Sequence, residues 1–384
     1  MEFSERIGRV EPSATLSISA LAKKLEAEGA DVVDLSVGEP DFPTPEPIVD
    51  AGAEAMQEGH TGYTPSRGIP ELRNAIAENL KADELSYDAD QIIVTPGAKQ
   101  ALYESIQTVC DDGDEVVLLD PAWVSYPAMV RLAGGTTKHV DLTPHGFRLE
   151  PALDELAETL SDDTNLLIVN SPSNPTGMVY SDTALAGVRD LAVKHDVTVI
   201  SDEIYKQIVF GDQPRSLATF DGMEERTITV NGFSKAYSMT GWRLGYVAGP
   251  QSFIDQAAIL QSHSVSCATN FVQHAGITAL NACEADIAQM VDAFADRRDH
   301  IFNRLDELGV DLPPEPGGAF YLMVPVVGDD LETCEAALAD AHVATVPGSP
   351  FGTPGYARIS YANSIERIDL AIDRLAEIEF FETN

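Results

Sequence analysis

Lys235 and Arg243 stand eight residues apart in the stretch Ser234 to Tyr246, SKAYSMTGWRLGY. Lysine is the side chain that condenses with an aldehyde to form a Schiff base, and it reacts when its amine is desolvated or its pKa is depressed by neighbours. Arginine offers a planar, permanently charged fork that matches a phosphate monoester. The spacing suits an imine-forming lysine beside a phosphate clamp. Standing alone, it suits two surface cations in a glycine-punctuated loop equally well.

Three further blocks carry the same grammar, an apolar strand followed by a polar turn. In Val197 to Tyr205, VTVISDEIY, a β-branched run ends on Asp202 and Glu203. Carboxylates at the end of a buried strand need partners. Asp202 is of the type that keeps a pyridine nitrogen protonated, the acidic partner that pyridoxal phosphate requires, or it caps a following helix. Tyr205 is placed to donate to a phenolate oxygen or to pack in the core. In Asn165 to Gly177, NLLIVNSPSNPTG, Asn174 is the candidate ligand-facing amide within a Pro, Asn and Gly turn. In Gln91 to Gln100, QIIVTPGAKQ, Pro96 and Gly97 stop a strand, and helical spacing follows through Leu102, Ile106 and Val109. Such a helix start presents the backbone N–H groups of Ala98 and Lys99 to an anion.

The elements that must position these residues follow from the same pattern. Thr227 to Asn231, TITVN, reads as a β-branched strand, and Gly232 lets the chain turn, so Lys235 falls near a strand end, where open α/β sheets bind ligands. Strands alternate with helical runs from about Ile92 to Gly249, which predicts an α/β fold with a mainly parallel mixed sheet flanked by helices. Ile254 to Arg304 is largely helical in pattern. Gly317 and Gly318 precede an aromatic strand, Ala319 to Val324, that opens a smaller α/β domain. The expected division is an N-terminal segment over 1–45 packing with the small domain, a large domain over 46–285, and the small C-terminal domain over 286–384.

Taken together, these blocks resemble a class I, fold-type I, pyridoxal-phosphate-dependent aminotransferase, nearest the aspartate aminotransferase-like branch. The likeness runs nearly end to end, through LSVGEPDFPTP at Leu35, GYTPSRGIPELR at Gly62, GAKQAL, DPAWVSYP around Trp123, NSPSNPTG, SDEIY, SKAYSMTGWRLGY and ARISYA around Arg358. The resemblance implies that Lys235 forms the Schiff base and moves the proton, and that Asp202 pairs with the pyridine nitrogen. It implies that Asn174 and Tyr205 contact the phenolic oxygen and that Trp123 stacks on the ring. The phosphate would be held by Ala98, Lys99, Ser234 and Arg243, with Tyr63 reaching over from the second subunit of a homodimer. Arg358 would grip the substrate α-carboxylate by a bidentate pair, assisted by Gly38 and Asn174.

The implied substrates are an amino acid and a 2-oxo acid. Lys99 and the hydroxyl-bearing segment Pro12 to Thr15 favour aspartate, glutamate and their oxo acids; Lys99 serving only the phosphate, or pointing to solvent, is the competing reading. Two departures qualify the likeness. Glu11 stands where the branch commonly has a basic residue, and Gly232 brings no hydroxyl to the phosphate, which leaves that role to Ser234. Prephenate, aromatic or alanine donors, a pyridoxal-phosphate C–S lyase and a non-catalytic cofactor-bound regulator are the alternatives.

Composition sets the boundaries. A chain of 384 residues with 44% hydrophobic content is long enough for a large core. No apolar run approaches the ~20 residues of a spanning helix, and the start of the chain lacks the apolar stretch of a secretory signal, so a cytoplasmic protein without a membrane partner is expected. Cys110, Cys267, Cys283 and Cys334 are scattered and read as reduced core residues, with no metal set. The net charge of −38, from 24 basic and 62 acidic residues, disfavours nucleic acid as a partner and predicts a need for screening salt.

Overall fold

The computed structural model describes Met1, residues 3–12 and residues 14–383, with side chains of 14–17 excepted. Ser13 and the Thr15 side chain of the Pro12–Thr15 segment lie outside the described residues. Twelve strands are present among those described: β1 (Val33–Asp34), β2 (Ile92–Thr95), β3 (Glu115–Asp120), β4 (Thr136–Asp141), β5 (Thr164–Asn170), β6 (Thr198–Asp202), β7 (Thr227–Gly232), β8 (Gly245–Ala248), β9 (Tyr321–Pro325), β10 (Val343–Ala344), β11 (Val346–Pro347) and β12 (Tyr356–Ser360).

Seven of them form one sheet in the order β2-β8-β7-β6-β5-β3-β4. All neighbours run parallel except β8, which is antiparallel to both β2 and β7. The central strands are buried along nearly their whole length, and their Val, Ile and Leu side chains face helices on both sides, as a parallel sheet demands. The edge strand β4 is instead mostly exposed and carries Lys138 and His139. Because β8 alone is reversed, β2, β3, β5, β6 and β7 all end on the same edge of the sheet.

Each helix follows from its apolar spacing. The helix Ala98–Val109 buries Ala101, Leu102 and Ile106, which pack with Ile93, Val116, Leu118, Val230 and Val247 of the sheet. The expected helical region beyond Ile254 is three helices, Gln251–Ser264, Asn270–Ala282 and Glu284–Glu307.

A second sheet, β11-β12-β9, is antiparallel. The aromatic strand opens at Tyr321 rather than Ala319, because Ala319, at a positive φ of 56°, and Phe320 form a turn before it. The short parallel pair β1–β10 ties Val33 to Val343, so the N-terminal segment is stitched to the C-terminal part of the chain. The amphipathic helix Ile365–Glu377 buries Ile368, Ala371, Ile372 and Leu375 beside it.

Candidate active site

The shared edge of the large sheet opens on a cavity of about 840 Å³. Asn170 ends β5, Asp202 ends β6, and Trp123 and Lys235 lie a few residues beyond β3 and β7. Of the sequence-predicted residues, Gly38, Ala98, Lys99, Trp123, Asn174, Asp202, Tyr205, Ser234, Lys235, Arg243 and Arg358 line this cavity. Tyr63 does not: its side chain is 93% exposed on the surface.

Lys235 donates from Nζ to the Gly38 carbonyl at 2.5 Å. Burial, opposed by Glu39 and reinforced by Arg358, Arg243 and Lys99, brings its pKa down to about 8. A lysine so placed is a nucleophile and a base near neutral pH. Asp202 is buried, and burial raises its pKa to about 6 against the hydrogen bonds it accepts. Those bonds come from the Tyr126 hydroxyl to Oδ2 at 2.6 Å and from the Ile204 amide to Oδ1 at 3.2 Å. Asn170, paired with Asp202 across the strands, donates Nδ2 to the Asp202 carbonyl and accepts at Oδ1 from the Asn174 amide.

Arg358 is 2% exposed, and among the described residues none of its hydrogen bonds reaches a carboxylate. It donates to Asn174 Oδ1 at 2.9 Å and to the Ser36 carbonyl at 2.5 Å, while Nε has no partner among the described residues. A buried guanidinium served by neutral oxygens alone is short of an anion. Arg243 is exposed toward the cavity and, among the described residues, bonds only the carbonyls of Thr240 at 2.7 Å and Pro96 at 3.4 Å.

Beside Arg243, Gly97 opens the helix Ala98–Val109 at a φ of +87°, with no side chain capping the first amides. A Cβ on Gly97 would come within 2.5 Å of Arg243 Nη2, and one on Gly245 within 2.4 Å of the Ala98 nitrogen, so glycine at both positions keeps the cradle open. Lys99 lies over the Trp123 ring at 4.7 Å, its pKa lowered first by burial and then by Arg243.

Sequence reasoning missed Tyr126, Asn170 and Tyr321, and also Ser19, Lys23, Ser36 and Glu39, which all line the cavity. The signal for Tyr126 was in the quoted WVSYP block, three residues after Trp123. Ser19 and Lys23, four apart on the helix Ala14–Ala27, share a face that periodicity alone would assign to solvent.

The model of the family described as aminotransferase class I and II matches residues 30–375. The chain belongs to that family. Aspartate aminotransferase of Bacillus subtilis (strain 168) is 41% identical over 98% of both chains. A probable aspartate/prephenate aminotransferase of Aquifex aeolicus is 42% identical over 97% of each. The solved aspartate aminotransferase of Thermus thermophilus with maleate superposes with a TM-score of 0.95 at 40% identity, covering 98% of this chain and 100% of that one.

Membership makes this aminotransferase a pyridoxal-phosphate-dependent transaminase with the α/β fold expected, and favours transamination over the lyase and regulator readings. The residues present fit that cofactor. A buried acid, a lysine held near neutrality, an uncapped helix start and an unpaired arginine face one cavity.

Proposed function

We propose that this aminotransferase exchanges the amino group between aspartate or glutamate and the oxo acids 2-oxoglutarate and oxaloacetate. The observation that carries the reading is the cavity's excess of cations. Lys23, Lys99, Lys235, Arg243 and Arg358 line it against Glu39 and Asp202, in a chain of net charge −38. Phosphate, α-carboxylate and a distal carboxylate together balance that excess.

Pyridoxal phosphate supplies the electron sink into which the α-carbon charge is delocalised. Lys235 takes the α-proton and returns it, which its depressed pKa allows. Asp202, fixed by Tyr126, holds the ring nitrogen protonated. Tyr205 and Asn174 donate to the phenolic oxygen, Trp123 covers the ring, and the Ala98 and Lys99 amides with Ser234 and Arg243 hold the phosphate. Arg358, steadied by Asn174 with Gly38 beside it, grips the α-carboxylate and so orients every substrate alike. Lys99 and Lys23 receive the distal carboxylate. Tyr63, extended into solvent, completes the phosphate site of the second subunit in a homodimer.

The reading extends to the setting. Four free cysteines support a reducing, cytoplasmic compartment, and among the described residues no helix is long and apolar enough to cross a membrane. The net charge supports a salt-rich one: melting at low and molar KCl should show a clear rise in Tm with salt, and equal Tm values would end that part of the proposal. We further assign residues 1–45 and 286–384 to one small unit that closes on 46–285 when substrate binds, as the β1–β10 pairing supports.

Prephenate is the second reading, because it too is a dicarboxylate and relatives named for it are as similar as those named for aspartate alone. The test is the half-reaction followed by absorbance in high salt, with aspartate, glutamate, alanine or phenylalanine and no oxo acid. Aspartate or glutamate should convert the cofactor to its amine form fastest. Faster conversion by alanine or phenylalanine would overturn the dicarboxylate assignment.

A further inference from the structure

The Tyr205 and Tyr321 hydroxyls lie 2.7 Å apart, both in the interior. Tyr205 follows β6 of the large sheet, while Tyr321 opens β9 of the small one, so this hydrogen bond, like that from Arg358 to Asn174, links the two sheets over the cavity. On the small sheet Tyr321 pairs with Ser360 and Arg358 with Met323, which sets Tyr321 and Arg358 diagonally on one face. The Arg358 guanidinium sits 4.6 Å from the Tyr321 ring centroid. Gly38 completes the arrangement, since a Cβ there would meet the Tyr321 hydroxyl at 2.6 Å and its three nearest neighbours would all be Tyr321 atoms.

We propose that Tyr321 is a positioning residue that passes the charge state of the Arg358 site to Tyr205, and so couples carboxylate binding to the hydrogen bond made at the cofactor's phenolic oxygen. The proposal rests on the reading of Arg358 and Tyr205 given above. A hydroxyl has one proton to donate. When Tyr205 gives its own to the cofactor, the bond between the tyrosines can be donated only by Tyr321. Donors in series polarise one another, so a stronger donation by Tyr321 makes Tyr205 a stronger donor in turn. The Arg358 cation draws the Tyr321 pKa down against the larger effect of burial, which strengthens that donation. A carboxylate bound on Arg358 cancels the cation and relaxes the chain. The other charged groups facing the tyrosine pair are Lys235, Asp202 and Glu39, and none of them is altered in the test.

The experiment titrates the absorbance of the bound cofactor against pH in the holoenzyme, with and without succinate as a non-reacting dicarboxylate. Donation to the phenolic oxygen stabilises its anion and lowers the midpoint. Tyr321→Phe, which keeps ring and volume, should raise the midpoint by about half a unit and shrink the upward displacement that succinate causes in the parent. In a Tyr205→Phe background the same change should add nothing further. Gly38→Ala, which pushes the Tyr321 hydroxyl aside, should reproduce the upward displacement. An unmoved midpoint in Tyr321→Phe, an undiminished succinate effect, additivity with Tyr205→Phe, or an unmoved Gly38→Ala each overturns the coupling. Absence of a titrating cofactor band in the parent overturns the site reading and the coupling with it.

Discussion

Two lysines near the adjacent acids Asp202 and Glu203, Lys206 buried and Lys235 half-buried in the cavity wall, meet opposite fates. Lys206 is 4% exposed and lies 3.0 Å from Asp83 and 3.3 Å from Glu203. Burial lowers its pKa, but Glu203 and Asp83 outweigh burial and the net direction is up. Glu203 is itself secured by the Ser201 and Ser216 hydroxyls at 2.9 and 2.5 Å. Lys235, in the cavity, has a carbonyl as its only hydrogen-bond partner among the described residues and a pKa near 8. Asp202 and Glu203 are adjacent, and the chain sends one to the cavity and the other to Lys206. A buried cation with its own carboxylates serves the fold; one surrounded by other cations is kept for a ligand.

The comparison is most exposed at Lys235 itself. Lys235→Ala should lower turnover by roughly 10⁴-fold or more while the fold survives, measured by single-turnover kinetics and circular dichroism. Retained turnover would end the contrast. Next comes a matched pair. Arg358→Met should cost roughly a hundredfold in kcat/KM yet leave the cofactor-free protein as stable as the parent or more so, because a buried charge without a counter-ion is removed. Lys206→Met should do the reverse, costing about 3 kcal/mol or more of stability by stranding Asp83 and Glu203, with substrate preference unchanged. Denaturant midpoints and steady-state kinetics on both variants would show the two patterns interchanged if the assignment is wrong.

The smallest effect is on pH dependence, where the two lysines carry opposite signs. Lys235 has a folded pKa below the unfolded 10.5. Between about pH 8 and 10.5 the unfolded chain therefore holds a proton that the folded chain has released, and cofactor-free stability contributed by this group rises with pH. Lys206 has a raised folded pKa, so its contribution is full below 10.5 and falls as pH passes through the folded value. Lys235→Met should remove the rising component from melts taken across pH 7.5–10.5. An unchanged pH profile in that variant would contradict the depressed pKa.

Much of this site was written in local sequence because each contributing turn follows its own strand. Asp202, Asn174 and Lys235 could be placed at strand ends from β-branched runs and the Gly, Pro and Asn that stop them. What local pattern cannot hold is the meeting of segments far apart. Tyr321 reaches Tyr205 across 116 residues, and Tyr126 reaches Asp202 across 76; each reads in its own segment as core aromatic packing. Lys23 lies on a helix face that periodicity assigns to solvent, and only the cavity gives that face a neighbour. The reversal of β8 was equally hidden, since an apolar four-residue run does not declare its direction. Tyr63 is the opposite case, named from its motif yet exposed and outside the cavity this chain forms.

The two-residue pairing of Val33 with Val343 and Asp34 with Ala344 has a consequence for biosynthesis. All seven strands of the large sheet have been made once residue 248 is synthesised, whereas β1 must wait for nearly a hundred further residues before its partner exists. During that interval on the ribosome the nascent chain carries an early segment with no mate, while the later part of the chain is still to come. Loops of this span close slowly. Ser36, Gly38 and Arg358 all line the cavity, so its wall cannot be complete until residue 358 has been made.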